Sequence, residues 1–443
     1  MIGESALALE AKEKPKFFYG WVVVFALAMV QGATVGFLGN TMSVFIKPVS
    51  TGLGITRATF LLNSTFQMLS SVFMAPVWGE FFRNRRFKPY MIAGCFITAS
   101  AMFGNSFAQK MSHFYIVAFF RGLFSGMLMG ISMAKILSNW FVEKRGFATG
   151  LALSGSGLAG SFMTPIISRT VEMYGWRAGY RQLGIVFFVI TVPVILFLLR
   201  ETPEEMGLTA YGAESTPKLA AGAPVVEKQK VGISRAQAMR SQTYWFYVIG
   251  LFFVQGCVMS TSNNTVNHLT DIGYEPAFAA SIFSIVLLML VPGKPILGKV
   301  YDVLGIRTGT IIITGMTIVS PLLLAFSHIK TIAYVYAVVF GLAYSIATMQ
   351  LPYMTVRLMG DKELSRVYGM CQPFQQLGSA LMVPVSNIIQ VRLGSYVPVF
   401  FSLSIMLTMS LFMMLRAIKM SPIEQEKFMR EDAMATQTAQ APA

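Results

Sequence analysis

Hydrophobic residues are arranged along this chain in twelve long apolar stretches, which are separated by short polar segments. The stretches lie near residues 20–45, 57–82, 89–108, 113–138, 147–170, 179–199, 243–267, 276–299, 308–327, 331–356, 366–390 and 396–416. A helix needs about 20 apolar residues to cross the hydrocarbon core of a bilayer. The pattern therefore predicts an all-α integral membrane protein with twelve transmembrane helices.

The longest polar interruption, residues 200–242, divides these stretches into six and six. Its composition, with acidic residues and an Ala-Gly-Ala-Pro run, is typical of a linker. We therefore expect an N-terminal tail at 1–18, two six-helix halves at 19–199 and 243–417, and a polar C-terminal tail at 418–443 that is disordered from Ser421 onward.

The charge distribution predicts how the chain lies in the membrane. Only 12% of the residues are charged, although the formal net charge is +15. Lys and Arg are about three times as frequent in the segments that hold the termini and the linker as in the segments on the other side, which by the positive-inside rule places both termini in the cytoplasm. The positive charge thus reports topology rather than nucleic-acid binding. The short loops favour a plasma membrane location, in bacteria the inner membrane.

Three cations lie well inside the apolar stretches, without an acid at similar depth: Arg121, Lys135 and Lys294. A charge at bilayer depth costs about 2.5–3.5 kcal/mol on insertion scales, so such residues usually face an interior cavity. Arg121 and Lys135 share one face of a regular helix, because they are separated by two heptads. These cations predict an anionic ligand. Structural hydrogen bonding of Arg121 and snorkelling of Lys135 and Lys294 toward the surface are the alternatives.

Polar side chains in other spans are candidates for lining the same cavity. Gln372, Gln375, Gln376 and Ser379 recur at helical spacing on one face of the eleventh span. Their alternative role is hydrogen bonding between helices. The three Cys residues have no metal-ligand spacing, and neither a nucleophile–base pair nor a cofactor fingerprint is present. We therefore expect neither an enzyme nor a cofactor or metal site.

One loop of the second half carries a recognisable motif. Gly298-x-x-x-Asp302-x-x-Gly305-x-Arg307 resembles the signature loop of the major facilitator superfamily. The matching loop of the first half begins with Gly79 but has Arg83 where the family usually has Asp. The resemblance implies the major facilitator fold, in which two six-helix halves rock about a central site. We therefore predict that the six residues named in these two loops control gating: Gly79, Arg83, Gly298, Asp302, Gly305 and Arg307.

Further motifs resemble the branch that holds the monocarboxylate transporters and the oxalate/formate antiporters. They are Tyr19-Gly20-Trp21, Asn139-Trp140-Phe141 and Gly175-Trp176-Arg177, while Arg121-Gly122 resembles the arginine motif of the whole superfamily. Members of this branch have an arginine at the place of Lys294, where it binds the substrate carboxylate. The resemblance therefore implies that Lys294 is the anion-binding charge, although lysine lacks the bidentate fork of arginine. It also adds Asn40, Gln67 and Tyr344 as candidates for substrate contact.

The combined prediction is a secondary active transporter of small organic anions, foremost monocarboxylates, that acts as a monomer in lipid. Proton-coupled relatives have a lysine at the place of Asn40 and an acid at the place of Leu290. Their absence favours anion exchange or facilitated diffusion, and proton symport stays open if Lys294 titrates. The alternative is an efflux transporter for amphipathic or aromatic compounds, for which the 30 Met and 36 Phe residues would provide an adaptable interior.

Overall fold

A computed structural model describes residues 18–128, 130–213 and 232–440. The first half contains six helices. α1 comprises Gly20–Gln31, the π-helical Gly32–Asn40 and Met42–Leu53; α2 is Arg57–Phe81; α3 is Lys88–Asn105; α4 comprises Met111–Phe124, the 3-10 turn Ser125–Met127 and Ile131–Trp140; Arg145–Pro193 and the π-turn Val194–Leu198 form α5 (145–174) and α6 (176–198).

The second half repeats this plan. α7 is Gln242–Asp271; Pro276–Ala325 forms α8 (276–304) and α9 (306–325); α10 comprises Lys330–Ala343 and Ile346–Met359; α11 is Leu364–Leu393; α12 is Val397–Gln440. Gly175 and Gly305 join the merged pairs with positive φ angles of 79° and 78°. Backbone at these angles favours glycine, because it has no Cβ to clash.

The helices have the length and apolar character that a bilayer requires. Within the described residues, eight helical runs qualify as membrane spans, and two of these runs, Arg145–Leu198 and Ala277–Ala325, each hold two helices. With α3 and α11, they make up the predicted twelve spans. Helices are favoured because hydrocarbon offers no partners for free backbone N–H and C=O groups. The all-α architecture in two six-helix halves is confirmed.

The tail that was predicted to be disordered is helical as far as Gln440, and residues 441–443 lie outside the described part of the structure. α12 runs past the last apolar residues to Gln440. Ser421 and Gln425 both donate to the Leu358 carbonyl oxygen, at 2.7 and 2.8 Å. Phe428 is buried in the same extension. The tail prediction was wrong because it weighed polarity and overlooked this spacing of docking residues.

The two halves and the linker meet at one end of the bundle, which we call the linker side. Tyr211 donates its backbone N–H to the Trp140 carbonyl oxygen at 2.8 Å, and Ile233 donates to the Met359 carbonyl oxygen at 2.9 Å. The described ends of the linker thus attach to the equivalent α4–α5 and α10–α11 loops. The hydrogen bond that Lys144 donates to the Tyr211 hydroxyl, 3.0 Å long, raises the pKa of this exposed ammonium.

Candidate functional site

A cavity of about 230 Å³ lies inside the first half, between α1, α2, α3 and α4. Val35, Leu38, Met42 and Leu128 form apolar parts of its wall, and Arg121 contributes a charge. The π-helical stretch of α1 supplies the first two of these residues. Wide helical turns of this kind often occur at functional sites.

Arg121 is the charged group of this cavity. It lies in the last turn of Met111–Phe124, and it is only 9% exposed. Its guanidinium donates to the Gln67 amide oxygen and lies 3.7 Å from the Met102 sulfur. Among the described residues, no carboxylate lies within salt-bridge distance of Arg121. A buried charge with only neutral partners is costly, so a ligand anion would stabilise it.

Gln67 and Arg121 are thus brought together in the wall of the cavity. Ser125, one turn after Arg121, also lines it, and the Ser125 hydroxyl donates to the Ser71 hydroxyl at 3.1 Å. Gln376 of the second half donates to the same Ser71 oxygen at 3.4 Å. This chain of contacts links α11 to the cavity wall. Serines in an apolar span carry too weak a signal for sequence reasoning to single them out.

A break in α4 separates Lys135 from Arg121. α4 is interrupted after Phe124, and Gly130 has φ 61° and ψ −82°. Counting residues along one regular helix is therefore invalid between the two cations. The prediction that both share one face assumed an unbroken helix, and this assumption was wrong.

Lys294 lies at the interface between the halves rather than in the wall of this cavity. It is 3% exposed, and its ammonium donates to the Leu153 carbonyl oxygen at 2.9 Å and to the Ser156 hydroxyl at 2.8 Å, both on α5. The Ser154 hydroxyl adds a bond to the Val291 carbonyl oxygen at 3.0 Å. The ammonium is consequently held by α5 and does not snorkel to the surface.

The remaining candidate residues lie on different helices and contact different partners. Gln375 donates to the Ala347 carbonyl oxygen at 2.7 Å, and Gln372 is half-buried on the same helix. Tyr344, at the interruption of α10, accepts from the Ser262 hydroxyl at 3.3 Å. Asn40 ends the π-helical stretch of α1, and its side chain lies outside the described part of the structure. Of the predicted polar stripe, Gln375 and Gln376 thus form hydrogen bonds to other helices.

The second-half signature loop holds the first half through its acid. Asp302 accepts hydrogen bonds from the backbone N–H groups of Gly146 and Phe147, at 2.9 and 2.8 Å. These groups belong to the first turn of α5, whose unpaired N–H groups favour an anion. A Cβ on Gly298 would lie 2.1 Å from the Gly146 carbonyl oxygen, so both positions need glycine. Arg307 is exposed. We call this contact the Asp302 latch.

The first-half loop makes a different contact. Arg83 is exposed, and the acid that faces the second half is Glu80, directly after Gly79. Glu80 forms ion pairs with Arg366 and, at 3.8 Å, with Arg235. We call this contact the Glu80 latch. Sequence reasoning missed Glu80, for which the only signal was an acid at the end of an apolar span.

Contacts between the halves are concentrated on one side. In the described part of the chain, the hydrogen bonds and ion pairs that join them lie in the linker-side half of the bundle, from Ser71–Gln376 and Ser154–Val291 down to the two latches. The halves are therefore closed on the linker side.

Comparison with known proteins supports this architecture. The model of the Major Facilitator Superfamily matches residues 20–383. Monocarboxylate transporter 13 of Bos taurus is 23% identical over 393 residues, covering 87% of this chain and 86% of the relative. The MFS-type transporter pytF of Aspergillus terreus (strain NIH 2624 / FGSC A1156) is 23% identical over 317 residues, covering 68% and 97%.

Solved structures share the fold. The proton:xylose symporter XylE has a TM-score of 0.68 at 10% identity, covering 90% of this chain and 96% of that one. The E. coli fucose:proton symporter FucP has a TM-score of 0.63 at 10% identity, covering 90% and 98%. On the matched family model and this shared fold, the chain belongs to the major facilitator superfamily and is a transporter rather than an enzyme.

Proposed function

We propose that this chain is a secondary active transporter of small organic anions, with monocarboxylates as the foremost class. The observation that carries the proposal is the buried Arg121 guanidinium at a cavity wall, with a glutamine amide and a thioether as its described partners. The similarity to proteins named monocarboxylate transporters supports the same class.

The cavity suits a small monoanion. A guanidinium fork binds a carboxylate through two parallel hydrogen bonds. The apolar side chains of Val35, Leu38 and Met42 would contact a short hydrocarbon body. A volume of about 230 Å³ is below the 300–1,000 Å³ of pockets for drug-sized ligands, which favours a small molecule.

Alternating access would move the anion between the two sides. The Lys and Arg content of the linker side assigns it to the cytoplasm. Because the halves are closed on that side, the structure represents the outward-facing state. Opening that side would separate α8 from α5 and remove both acceptors of the Lys294 ammonium. A substrate carboxylate could replace them. Lys294 would then act as an anion-binding charge after Arg121.

Ligand-dependent thermal stabilisation of the purified protein tests the proposal. Monocarboxylates are expected to raise Tm, because a ligand stabilises the state that it binds. Arg121→Gln should weaken this binding at least about thirtyfold, since an anion would lose its buried charged partner. Lys294→Met should reduce transport more than binding to the outward-facing state. Arg169→Gln, an exposed arginine on α5, is the matched control.

The same measurements distinguish the anion transporter from the alternative, an efflux transporter for amphipathic or aromatic compounds. Stabilisation by amphipathic or aromatic compounds, undiminished in Arg121→Gln and Lys294→Met, would favour the efflux transporter and contradict the anion proposal.

For the coupling of transport, we propose anion exchange or facilitated diffusion, because no carboxylate of the described residues lies within salt-bridge distance of Arg121 or Lys294. Uphill uptake driven by a pH gradient alone would contradict this mode.

A further inference from the structure

A second cavity lies on the outer surface of the first half, between α3 and α6. Its volume is about 460 Å³, and its walls are mainly the apolar side chains of Phe96, Phe103, Ile185, Phe188 and Val189. Phe96 and Ile185 are each 54% exposed, which shows that the groove opens away from the protein. In a membrane, this opening faces lipid.

Glycines account for the depth of the groove. Gly184 is buried at its floor, where a Cβ would come within 3.0 Å of the Ala99 carbonyl oxygen. Gly104 lines the same groove, and a Cβ there would meet no atom within 4 Å. The groove is thus open space at Gly104, which makes this residue suitable for a substitution that fills it.

A cation lies at the membrane-surface end of the groove. Arg181 is exposed and precedes Ile185 and Val189 by one and two turns, so the three side chains share one face of α6, with the apolar pair about 6 and 12 Å deeper. Arg177 stacks on the Trp176 ring at 4.1 Å near the start of α6. α6 begins at residue 176 on the side opposite the linker, and Arg181 lies about 7.5 Å along it. Arg181 is therefore within the first two turns from that membrane surface, where its long side chain reaches headgroup level.

Among the described residues, no carboxylate lies within salt-bridge distance of Arg181, so its charge is available to a ligand. We propose that a glycerophospholipid of this leaflet binds the groove, with its phosphate at Arg181 and one acyl chain between α3 and α6. The order of groups along α6, a cation above a deep apolar groove, is complementary to the order of phosphate and chain in such a lipid. A helix from a second copy would bury the apolar walls but leave Arg181 unpaired.

Photo-crosslinking of the full-length protein tests this site. The probe is a phosphatidylglycerol with a diazirine in its acyl chain, present in trace amounts in vesicles of digalactosyl diacylglycerol, a lipid without phosphate. Peptides of α3 and α6 are expected to carry the label. Arg181→Gln should reduce this labelling about fivefold, as should a probe with a galactosyl headgroup. Gly104→Leu should reduce labelling about tenfold by filling the groove.

Matched controls lie elsewhere on the membrane surface. Gly315→Leu on α9 adds a side chain where a Cβ would also meet no atom within 4 Å, and Arg169→Gln removes another exposed arginine. Both should label like the wild type. Unchanged labelling in Arg181→Gln and Gly104→Leu would show ordinary surrounding lipid and overturn the proposal. Crosslinked dimers joined through α3 or α6, without lipid label there, would identify a second copy as the occupant and overturn it too.

Discussion

Asp302 and Glu80 lie near the linker-side ends of α8 and α2, but they hold the opposite half in different ways. Asp302 accepts from two backbone N–H groups at the start of α5, and the Tyr353 hydroxyl donates to it at 3.3 Å. Glu80 contacts the side chains of Arg366 and Arg235 and is 44% exposed. One latch fixes the backbone of a helix, and the other joins side chains in water.

The physical setting makes the two latches unequal. Hydrogen bonds to a charged group contribute about 1.5–3 kcal/mol, and a helix N-terminus adds up to about 2 kcal/mol in partly buried geometry. An exposed ion pair contributes about 0–1 kcal/mol and is screened by salt. We infer that the second-half motif carries most of the closure. The first half can then tolerate Arg83 at the place of the family's Asp.

The close backbone contact at the Asp302 latch offers the strongest way to break this arrangement. Gly298→Leu would place a Cβ 2.1 Å from the Gly146 carbonyl oxygen and force α5 and α8 apart. We expect the linker-side closed state to lose about 1–3 kcal/mol or more. Spin labels at the exposed Arg86 and Lys419 would report the wider separation. Cys95, Cys257 and Cys371 are buried, which favours selective labelling.

Gly315→Leu is the control, since that position has room for a side chain. An unchanged distance distribution in Gly298→Leu would show that the contact between α5 and α8 does not determine closure. It would contradict the inference that the Asp302 latch contributes more to closure than the Glu80 latch.

Removing the charge of Asp302 should have the next largest effect. Asp302→Asn keeps the shape but leaves at most one oxygen for the two N–H donors, and it removes the favourable charge at the start of α5. We expect the closed state to lose about 1–3 kcal/mol, with little dependence on salt because the partners are backbone groups. The same spin-label distances, measured at low and high salt, check both points. A loss that disappears at high salt would contradict the backbone assignment.

Much of the fold could be predicted from the sequence, because a bilayer restricts the backbone to helices of a known length. The interruptions could not. In α4, the chain breaks at Gly130 between two apolar stretches, and in α1 it widens into a π-helix, without a proline at either place. Such breaks depend on tertiary packing. The polar extension of α12 also depends on it, through the acceptor at Leu358.

The candidate site shows the same limit. Burial of Arg121 and Lys294 could be predicted, because each is a rare charge in an apolar span. Which one lines a cavity depends on the approach of the two halves, and here Lys294 is held by α5. Glu80 illustrates the reverse case. Its partner Arg366 is 286 residues away, and a single sequence carries no signal for that pairing.

The smallest expected effect on closure comes from the Glu80 latch, and it tests whether this latch is the weaker of the two. Glu80→Gln removes the charge that faces Arg366 and Arg235, so the closed state should lose about 0.2–1 kcal/mol at low salt and almost nothing at high salt. Arg83→Asp in the Glu80→Gln background restores an acid at the family's usual position. Because the Arg83 charge already acts on Glu80, an acid at residue 83 should recover part of the closure at low salt.

The pair of variants separates two explanations for the divergence of the first-half loop. Recovery by Arg83→Asp would show that an acid at either position can pair with Arg366 of the second half or Arg235 of the linker. Glu80 would then replace the missing Asp in holding the closed state. No recovery would show that closure needs the position of Glu80 beside Arg366 rather than acidic charge in the loop. A loss in Glu80→Gln as large as that in Asp302→Asn, and equally resistant to salt, would contradict the ranking of the two latches.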